Sequence, residues 1–169
     1  EQSVYEAPTV KRQAEIDPLT GLANRQEFER RLTHLIDSAQ RDRATHALCF
    51  LDLDRFKTVN DRFGHLVGSR VLRELGGLLQ DSVRAIDTVG RYGGDEFTIL
   101  LVDTGLDGAL GAERGLDLRL TVSVGVSNFP THGDSRERLL DLSDKAMYLA
   151  KALGRDHVCS ADELSSSRG

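Results

Sequence analysis

The sequence predicts one α/β domain in which helices cover a central mixed sheet. Three observations lead to this fold class. Segments with apolar residues at helical spacing alternate with runs rich in Val, Ile and Leu. Two of those runs, DTVGRY and FTILLV, are separated only by the turn GGDE and predict a hairpin. The 169 residues suffice for one substantial core, and with 5% aromatics that core must consist of Leu, Val, Ile and Ala.

Each element has its own signal in the sequence. Asn24 is a favourable N-cap, and the apolar spacing from Phe28 to Ala39 predicts a first helix. ALCFLDLD is a continuous apolar run ending in acids, which is typical of a strand buried on both faces. A second helix is predicted over residues 68–83. After the hairpin, LRLTVSVGVSNF predicts a strand, LLDLSDKAMYLAKALG a helix closed by Gly154, and DHVCS a short last strand.

The domain organisation follows from composition along the chain. We expect residues 1–16 to be a linker or the end of a signalling helix, residues 17–160 the folded domain, and residues 161–169 a disordered tail. The net charge of −5 argues against nucleic-acid binding. The sequence has no apolar run of about 18 residues and no metal-ligand spacing at Cys49 and Cys159, and we expect no signal peptide. We therefore expect a soluble, reduced, cytoplasmic fragment without membrane contact, which leaves open a longer membrane-bound parent.

Acidic residues are concentrated where predicted strands meet turns. The four acids are Asp52, Asp54, Asp95 and Glu96. If their strands are neighbours, the carboxylates gather at one sheet edge, where mutual repulsion favours a divalent metal. Mg²⁺ prefers one or two carboxylates together with phosphate oxygens of a substrate. Gly93 and Gly94 precede two of the acids and allow a phosphate or base to approach the backbone. The alternative is a solvated acidic turn.

Basic residues close to these acids suggest an anionic substrate. Arg55 and Lys57 directly follow the first long strand, and Lys151 and Arg155 lie four residues apart near the end of the last long helix. Taken alone, such a pair is more often a solvated helix surface than a binding site. Together with the acids, the four cations predict anchors for a triphosphate.

Six motifs follow one another along the chain: DPLTGLANR, FLDLDRFKTVND, FGHLVG, RYGGDEF, TVSVGV and DKAMYLAKALGRD. In this order they resemble the GGDEF family of diguanylate cyclases over about residues 17–160. The resemblance implies a palm-like nucleotidyl cyclase fold of the α+β type, with a mainly antiparallel five-stranded sheet surrounded by helices. It also implies a nucleotidyltransferase that acts as a homodimer, uses two Mg²⁺ or Mn²⁺ ions per active site and is controlled by an upstream sensory domain. Each domain would bind one nucleoside triphosphate, GTP or ATP, and pyrophosphate would be released.

The resemblance assigns roles to individual residues. It places four residues at the metals, namely Asp52, Asp95, Glu96 and, through its backbone carbonyl, Leu53. The catalytic set comprises the three acids and a charge-stabilising lysine: Asp52, Asp95, Glu96 and Lys57. By the same resemblance seven residues would bind the substrate: Arg55 and Phe56 through backbone N–H groups, Gly94 by leaving space, Asn60 and Ser69 at the purine, and Lys151 and Arg155 at the terminal phosphates.

An inhibitory site is implied by the pattern R-x-x-D ahead of the Gly-Gly pair. Arg84 and Asp87, together with Arg91, would bind the cyclic dinucleotide product, which arrests the domains. The planar fork of arginine suits guanine or phosphate. The alternative is an ordinary ion pair on a helix surface.

One residue departs from the family pattern in the purine site. NDRFGHLVGS keeps Asn60 but has Ser69 where the family has Asp. A carboxylate accepts from guanine N1–H and its amine and repels the acceptor N1 of adenine, whereas a hydroxyl donates or accepts. Ser at this position resembles the hybrid promiscuous (Hypr) branch, which joins GTP and ATP into 3′,3′-cyclic GMP-AMP. The alternatives are a cyclase that makes only cyclic di-GMP and a non-catalytic module that binds the cyclic dinucleotide.

A second departure lies between FTILLVDTG and TVSVGV, where the family normally carries a helix and a hairpin. LDGALGAERGLDLRL is too short for both. Either a peripheral helix is deleted, or part of this segment is missing from the sequence. The predicted site residues lie outside it.

Overall fold

The computed structural model describes residues 14–111 and 120–166. Its strands are β1 (His46–Leu53), β2 (Thr88–Arg91), β3 (Glu96–Leu101), β4 (Val122–Phe129) and β5 (Val158–Ser160). They form one five-stranded sheet in the order β2–β3–β1–β4–β5. All neighbours are antiparallel except β4 and β5, which are parallel. The predicted fold class, including the mainly antiparallel sheet and the hairpin of β2 and β3, is confirmed.

Helices pack around this sheet. In the described parts of the chain they are α1 (Arg25–Asp42), α2 (Phe56–Phe63), α3 (His65–Ser82), α4 (Leu106–Gly111), α5 (Arg136–Ala152) and α6 (Glu163–Ser166). α1 begins as predicted, because the Asn24 side chain accepts the N–H of Glu27 at 2.9 Å. The predicted end of α5 is also confirmed, since Gly154 has a φ of +119° that other residues rarely adopt.

The central strand β1 is buried along its whole length, as its continuous apolar run predicts. Alternate residues face opposite sides of the sheet. Cys49 and Leu51 join a cluster that includes residues of α3, whereas Leu48 joins Phe28 and Leu32 of α1. Two layers of helices therefore hold β1 rigidly in the middle of the domain.

Helix α5 lies directly on β4 at a glycine. A Cβ at Gly125 would come within 1.9 Å of the Ser143 carbonyl oxygen, so only glycine permits this close contact. The contact fixes α5, and with it Lys151, relative to the sheet.

Two predictions of local structure were wrong. The helix predicted over residues 68–83 begins earlier, at His65, and is preceded by α2, which the sequence did not reveal. α2 is only eight residues long and has no buried residue, so its apolar positions Phe56, Val59 and Phe63 form too short a pattern to predict a helix. Residues 161–166 of the predicted disordered tail are also structured, because Ala161 is buried and donates its N–H to the Val126 carbonyl before α6 begins.

Several other expectations concern segments or features outside these elements. Most of the predicted linker, residues 1–13, lies outside the described residues, as do residues 112–119 of the shortened segment after α4. Cys49 and Cys159 are buried and form no disulfide. None of the described helices is long and apolar enough to cross a membrane.

Candidate active site

Strand pairing brings the predicted acids to one edge of the sheet. β1 and β3 are antiparallel neighbours, and their register places Asp52 opposite Glu96. The Asp95 carbonyl accepts the N–H of Leu53 at 3.3 Å, which ties the GGDE turn to the end of β1. The fold therefore brings Asp52, Asp95 and Glu96 to the same edge of the sheet, as predicted.

Asp52 is a buried carboxylate in which only one of the two oxygens has a hydrogen-bond partner. Its side chain accepts from Lys151 Nζ at 2.8 Å through Oδ2, whereas buried Oδ1 has no hydrogen-bond partner among the described residues. Burial, and then the charge of Asp95, raise the pKa of Asp52 to about 6, against the opposing effect of Lys151. A buried oxygen without a partner costs free energy that a bound cation would recover.

Glu96 lies in the same acidic environment, which also includes Asp144. Burial raises the pKa of Glu96, and the charges of Asp144 and Asp95 raise it further. The pKa of Asp144 is itself raised, first by burial and then by Asp141. Asp144 on α5 escaped the sequence analysis, although it precedes Lys151 by seven residues and so shares its helix face.

These acids suit a hard divalent cation. They offer oxygen donors, their charges repel one another, and Asp52 Oδ1 has a free coordination site. Within residues 14–111 and 120–166 no group of three or more His, Cys, Asp or Glu side chains forms a ready-made metal cage. Mg²⁺ tolerates this, since it usually keeps waters and takes phosphate oxygens beside one or two carboxylates.

Asp54 has a different environment from the other three acids. It is buried but fully engaged, accepting from Thr121 Oγ1 and Ser123 Oγ at 2.7 Å and from the Asp156 N–H at 2.9 Å. Burial raises its pKa, but the bonds from Ser123, Thr121 and Asp156 outweigh burial, so the pKa is lowered. Asp54 is therefore an anchor within the fold and offers no open oxygen to a metal.

The predicted phosphate-binding residues lie beside the acids. Arg55 adopts a left-handed conformation with a φ of +57° and begins α2, whose first backbone N–H groups have no partner inside the helix. Arg55 and Arg155 line one cleft. Lys57 and Arg155 are exposed and form no ion pair within the described part of the chain, whereas Lys151 is bound to Asp52.

The predicted purine contacts come together where α2 meets α3. Asn60 Oδ1 would lie 1.9 Å from a Cβ at Gly68, so the absence of a side chain there admits the Asn60 carboxamide. Half-buried Ser69 follows Gly68 directly. No hydrogen bond joins Asn60 to Ser69 in the described structure, which leaves both polar groups for a ligand.

The residues of the predicted inhibitory site are engaged with the protein itself. Arg84 forms a two-pronged ion pair with Asp87 at 3.0 Å and also donates to Thr104. Arg91 donates to Asp17 and to the Gly94 carbonyl, at 3.2 and 2.9 Å. Arg84 remains about half exposed, so a role in product binding stays a prediction.

Acids and cations at one sheet edge suit a domain that handles a phosphorylated substrate. Comparison with known families gives a match to "Diguanylate cyclase, GGDEF domain" over residues 14–157. The response regulator PleD of Caulobacter vibrioides is 40% identical over 84% of this chain and 35% of its own length. The uncharacterized protein YhcK of Bacillus subtilis is 37% identical over 90% of this chain and 47% of its own.

Solved structures agree with these sequence relatives. The GGDEF domain of TpbB from Pseudomonas aeruginosa superposes with a TM-score of 0.81 at 34% identity, covering 86% of this chain and 94% of that one. DgcB from Caulobacter crescentus, solved with c-di-GMP, gives 0.82 at 28% identity, covering 90% and 88%. This chain belongs to the GGDEF-domain diguanylate cyclase family, which is a family of nucleotidyltransferases. It spans less than half the length of the curated relatives named above.

Proposed function

We propose that this domain joins two nucleoside triphosphates into a 3′,3′-cyclic dinucleotide as one half of a homodimer. Each 3′-hydroxyl would attack the α-phosphate held by the other domain, so that two phosphodiester bonds form and two pyrophosphates leave. The observation that carries the proposal is the buried Asp52 oxygen without a protein partner, next to Asp95 at the sheet edge. Membership of the cyclase family supports it.

The acids would hold the metal ions of this reaction. Asp52, Asp95, Glu96 and the backbone carbonyl of Leu53 are the ligands we propose for two Mg²⁺ or Mn²⁺ ions per active site. The ions would neutralise the charge of the triphosphate. Lys151 contacts Asp52 and favours its ionised, metal-binding form.

The cations would position the phosphates. Backbone N–H groups of Arg55 and Phe56 lie at the start of α2, where helix geometry favours anions. Lys57 would stabilise charge at the reacting phosphate, and Lys151 with Arg155 would bind the terminal phosphates. Exposed Gly94 leaves room beside the nucleotide.

Asn60 and Ser69 would select the purine. We propose that Ser69 accepts guanine and tolerates adenine, because a hydroxyl can donate as well as accept. The domain would then make cyclic GMP-AMP from GTP and ATP in addition to cyclic di-GMP from GTP alone. A product restricted to cyclic di-GMP is the second candidate, which is favoured by the name of the relative TpbB of Pseudomonas aeruginosa, a diguanylate cyclase 35% identical to this chain.

Regulation would act from two sides. A cyclic dinucleotide would bind at Arg84, Asp87 and Arg91 and inhibit, since half-exposed Arg84 is within reach of a ligand. An upstream sensory domain would control pairing of the catalytic domains, which is consistent with the greater length of the relatives.

Product identification tests the proposal. The protein is incubated at high concentration with Mg²⁺ and equal GTP and ATP, and the products are identified by mass spectrometry. We expect cyclic GMP-AMP as a main product and a shift toward cyclic di-GMP in Ser69→Asp. Cyclic di-GMP alone would refute the role of Ser69 and leave the cyclase intact, whereas no cyclic dinucleotide at any concentration would refute the cyclase.

A further inference from the structure

We infer that Asp54 is a positioning residue, which holds the turn after α5 so that Arg155 reaches the terminal phosphates of the substrate. The inference rests on the proposed function, because it assumes that Arg155 binds a triphosphate. It explains the position of Asp54, a buried acid at this sheet edge whose two oxygens both accept hydrogen bonds from the protein.

The turn after α5 has an unusual backbone. Gly154, Arg155 and Asp156 have φ values of +119°, +66° and +48°, so three consecutive residues are left-handed. Only the first of them is glycine, and the left-handed conformation is energetically unfavourable for residues with a side chain, such as Arg155 and Asp156. Such a turn persists when its surroundings hold it in place.

Asp54 supplies a side-chain contact to this turn, in addition to the backbone bonds from the N–H groups of Gly154 and Arg155 to the end of α5. Its Oδ2 accepts the Asp156 N–H at 2.9 Å, one residue beyond Arg155. The same oxygen accepts from Thr121 Oγ1, and Oδ1 accepts from Ser123 Oγ. Thr121, just before β4, and Ser123, within β4, therefore hold the carboxylate itself in place. Asp54 thereby links the end of β1, the start of β4 and the turn that carries Arg155.

The geometry of the cleft explains why this matters for the substrate. Asp54, Arg55, Gly154 and Arg155 line it together, so the start of α2 and Arg155 face a common space. The Arg155 guanidinium has no ion-pair partner among the described residues. The backbone of the turn sets where the Arg155 side chain leaves the chain, and Asp54 holds that backbone at Asp156 while the Arg155 N–H donates to the Ala150 carbonyl at 3.1 Å.

A double-mutant cycle tests the inference. Binding of 3′-deoxy-GTP, which lacks the attacking hydroxyl, and of 3′-deoxy-GMP is measured by calorimetry with Mg²⁺ for wild type, Asp54→Asn, Arg155→Ala and the double variant. We expect Arg155→Ala to weaken triphosphate binding about tenfold and Asp54→Asn about three- to tenfold, with the monophosphate unchanged. The double variant should bind no more weakly than Arg155→Ala.

Matched variants separate positioning from general damage. Glu27→Gln changes another buried carboxylate, held on α1 by Arg30 and Arg31, and should alter neither affinity. Thr121→Val removes one bond to Asp54 at an exposed residue and should weaken only the triphosphate, about twofold. It serves as the test if Asp54→Asn does not fold.

Two outcomes would overturn the inference, and they differ from failure of the proposed function. Equal weakening of triphosphate and monophosphate by Asp54→Asn or Thr121→Val, or effects that multiply in the double variant, would make Asp54 merely structural. A wild type that binds the triphosphate no better than the monophosphate would instead refute the proposed function, and the inference with it.

Discussion

Asp52 and Asp54 are two buried carboxylates, two residues apart, at the same end of β1. Asp52 leaves one buried oxygen without a partner, and its pKa is raised to about 6. Asp54 satisfies both oxygens with three bonds, and its pKa is lowered. The first has an environment that penalises its charge, a penalty that the proposed cation would offset, whereas the second has an environment that stabilises its charge. Burial alone therefore does not distinguish the acid that we propose as a metal ligand from a structural one.

The largest effect on stability is expected at Asp54. Asp54→Asn removes the charge that strengthens three accepted hydrogen bonds and replaces one acceptor oxygen with an N–H₂ donor, so we expect the free energy of unfolding to fall by about 1–3 kcal/mol at pH 7. The pKa of Asp54 is lower in the folded than in the unfolded state. Its contribution to stability is therefore present above the unfolded pKa and is lost as the pH falls through the folded pKa. Urea unfolding at pH 7 and pH 3 measures this. An equal loss at both pH values would contradict the account.

The opposite sign is expected at Asp52. Its folded pKa of about 6 exceeds the usual 3.8, so the ionised side chain destabilises the metal-free fold above pH 6, and this penalty disappears as pH falls toward 4. We expect metal-free Asp52→Asn to be more stable than wild type by about 1–2 kcal/mol at pH 8, and the gain to vanish near pH 4. An Asp52→Asn variant less stable than wild type at pH 8 would contradict the destabilising role assigned to the Asp52 charge.

A smaller effect is expected from the metal alone. For a Kd of about 1 mM, 10 mM Mg²⁺ should stabilise the wild type by about 1.4 kcal/mol. The same addition should stabilise Asp54→Asn similarly and leave Asp52→Asn nearly unchanged. Thermal unfolding with and without Mg²⁺, at constant ionic strength, gives the three shifts. Equal shifts in all three proteins would place the metal elsewhere.

The sequence predicted most of the sheet and the acids at its edge, because apolar runs and the GGDE hairpin act locally. It did not predict α2, which is only eight residues long and whose residues are all at least partly exposed. It also missed Asp144, and the pattern of acids alone did not separate Asp52 from Asp54, although the family resemblance placed only Asp52 of the two at the metals. These distinctions depend on partners distant in sequence, such as Lys151 for Asp52 and Asp156 for Asp54, which only the folded chain brings together.

The most direct test compares cyclic dinucleotide formation by wild type, Asp52→Asn and Asp54→Asn. Rates are measured at saturating nucleotide, with Mg²⁺ and high protein concentration, and circular dichroism confirms folding. We predict that Asp52→Asn lowers the rate at least about a hundredfold, while Asp54→Asn keeps at least about a tenth of it, because saturating nucleotide offsets weakened phosphate binding. An Asp52→Asn protein as active as wild type, or equal losses in both variants, would contradict the central claim.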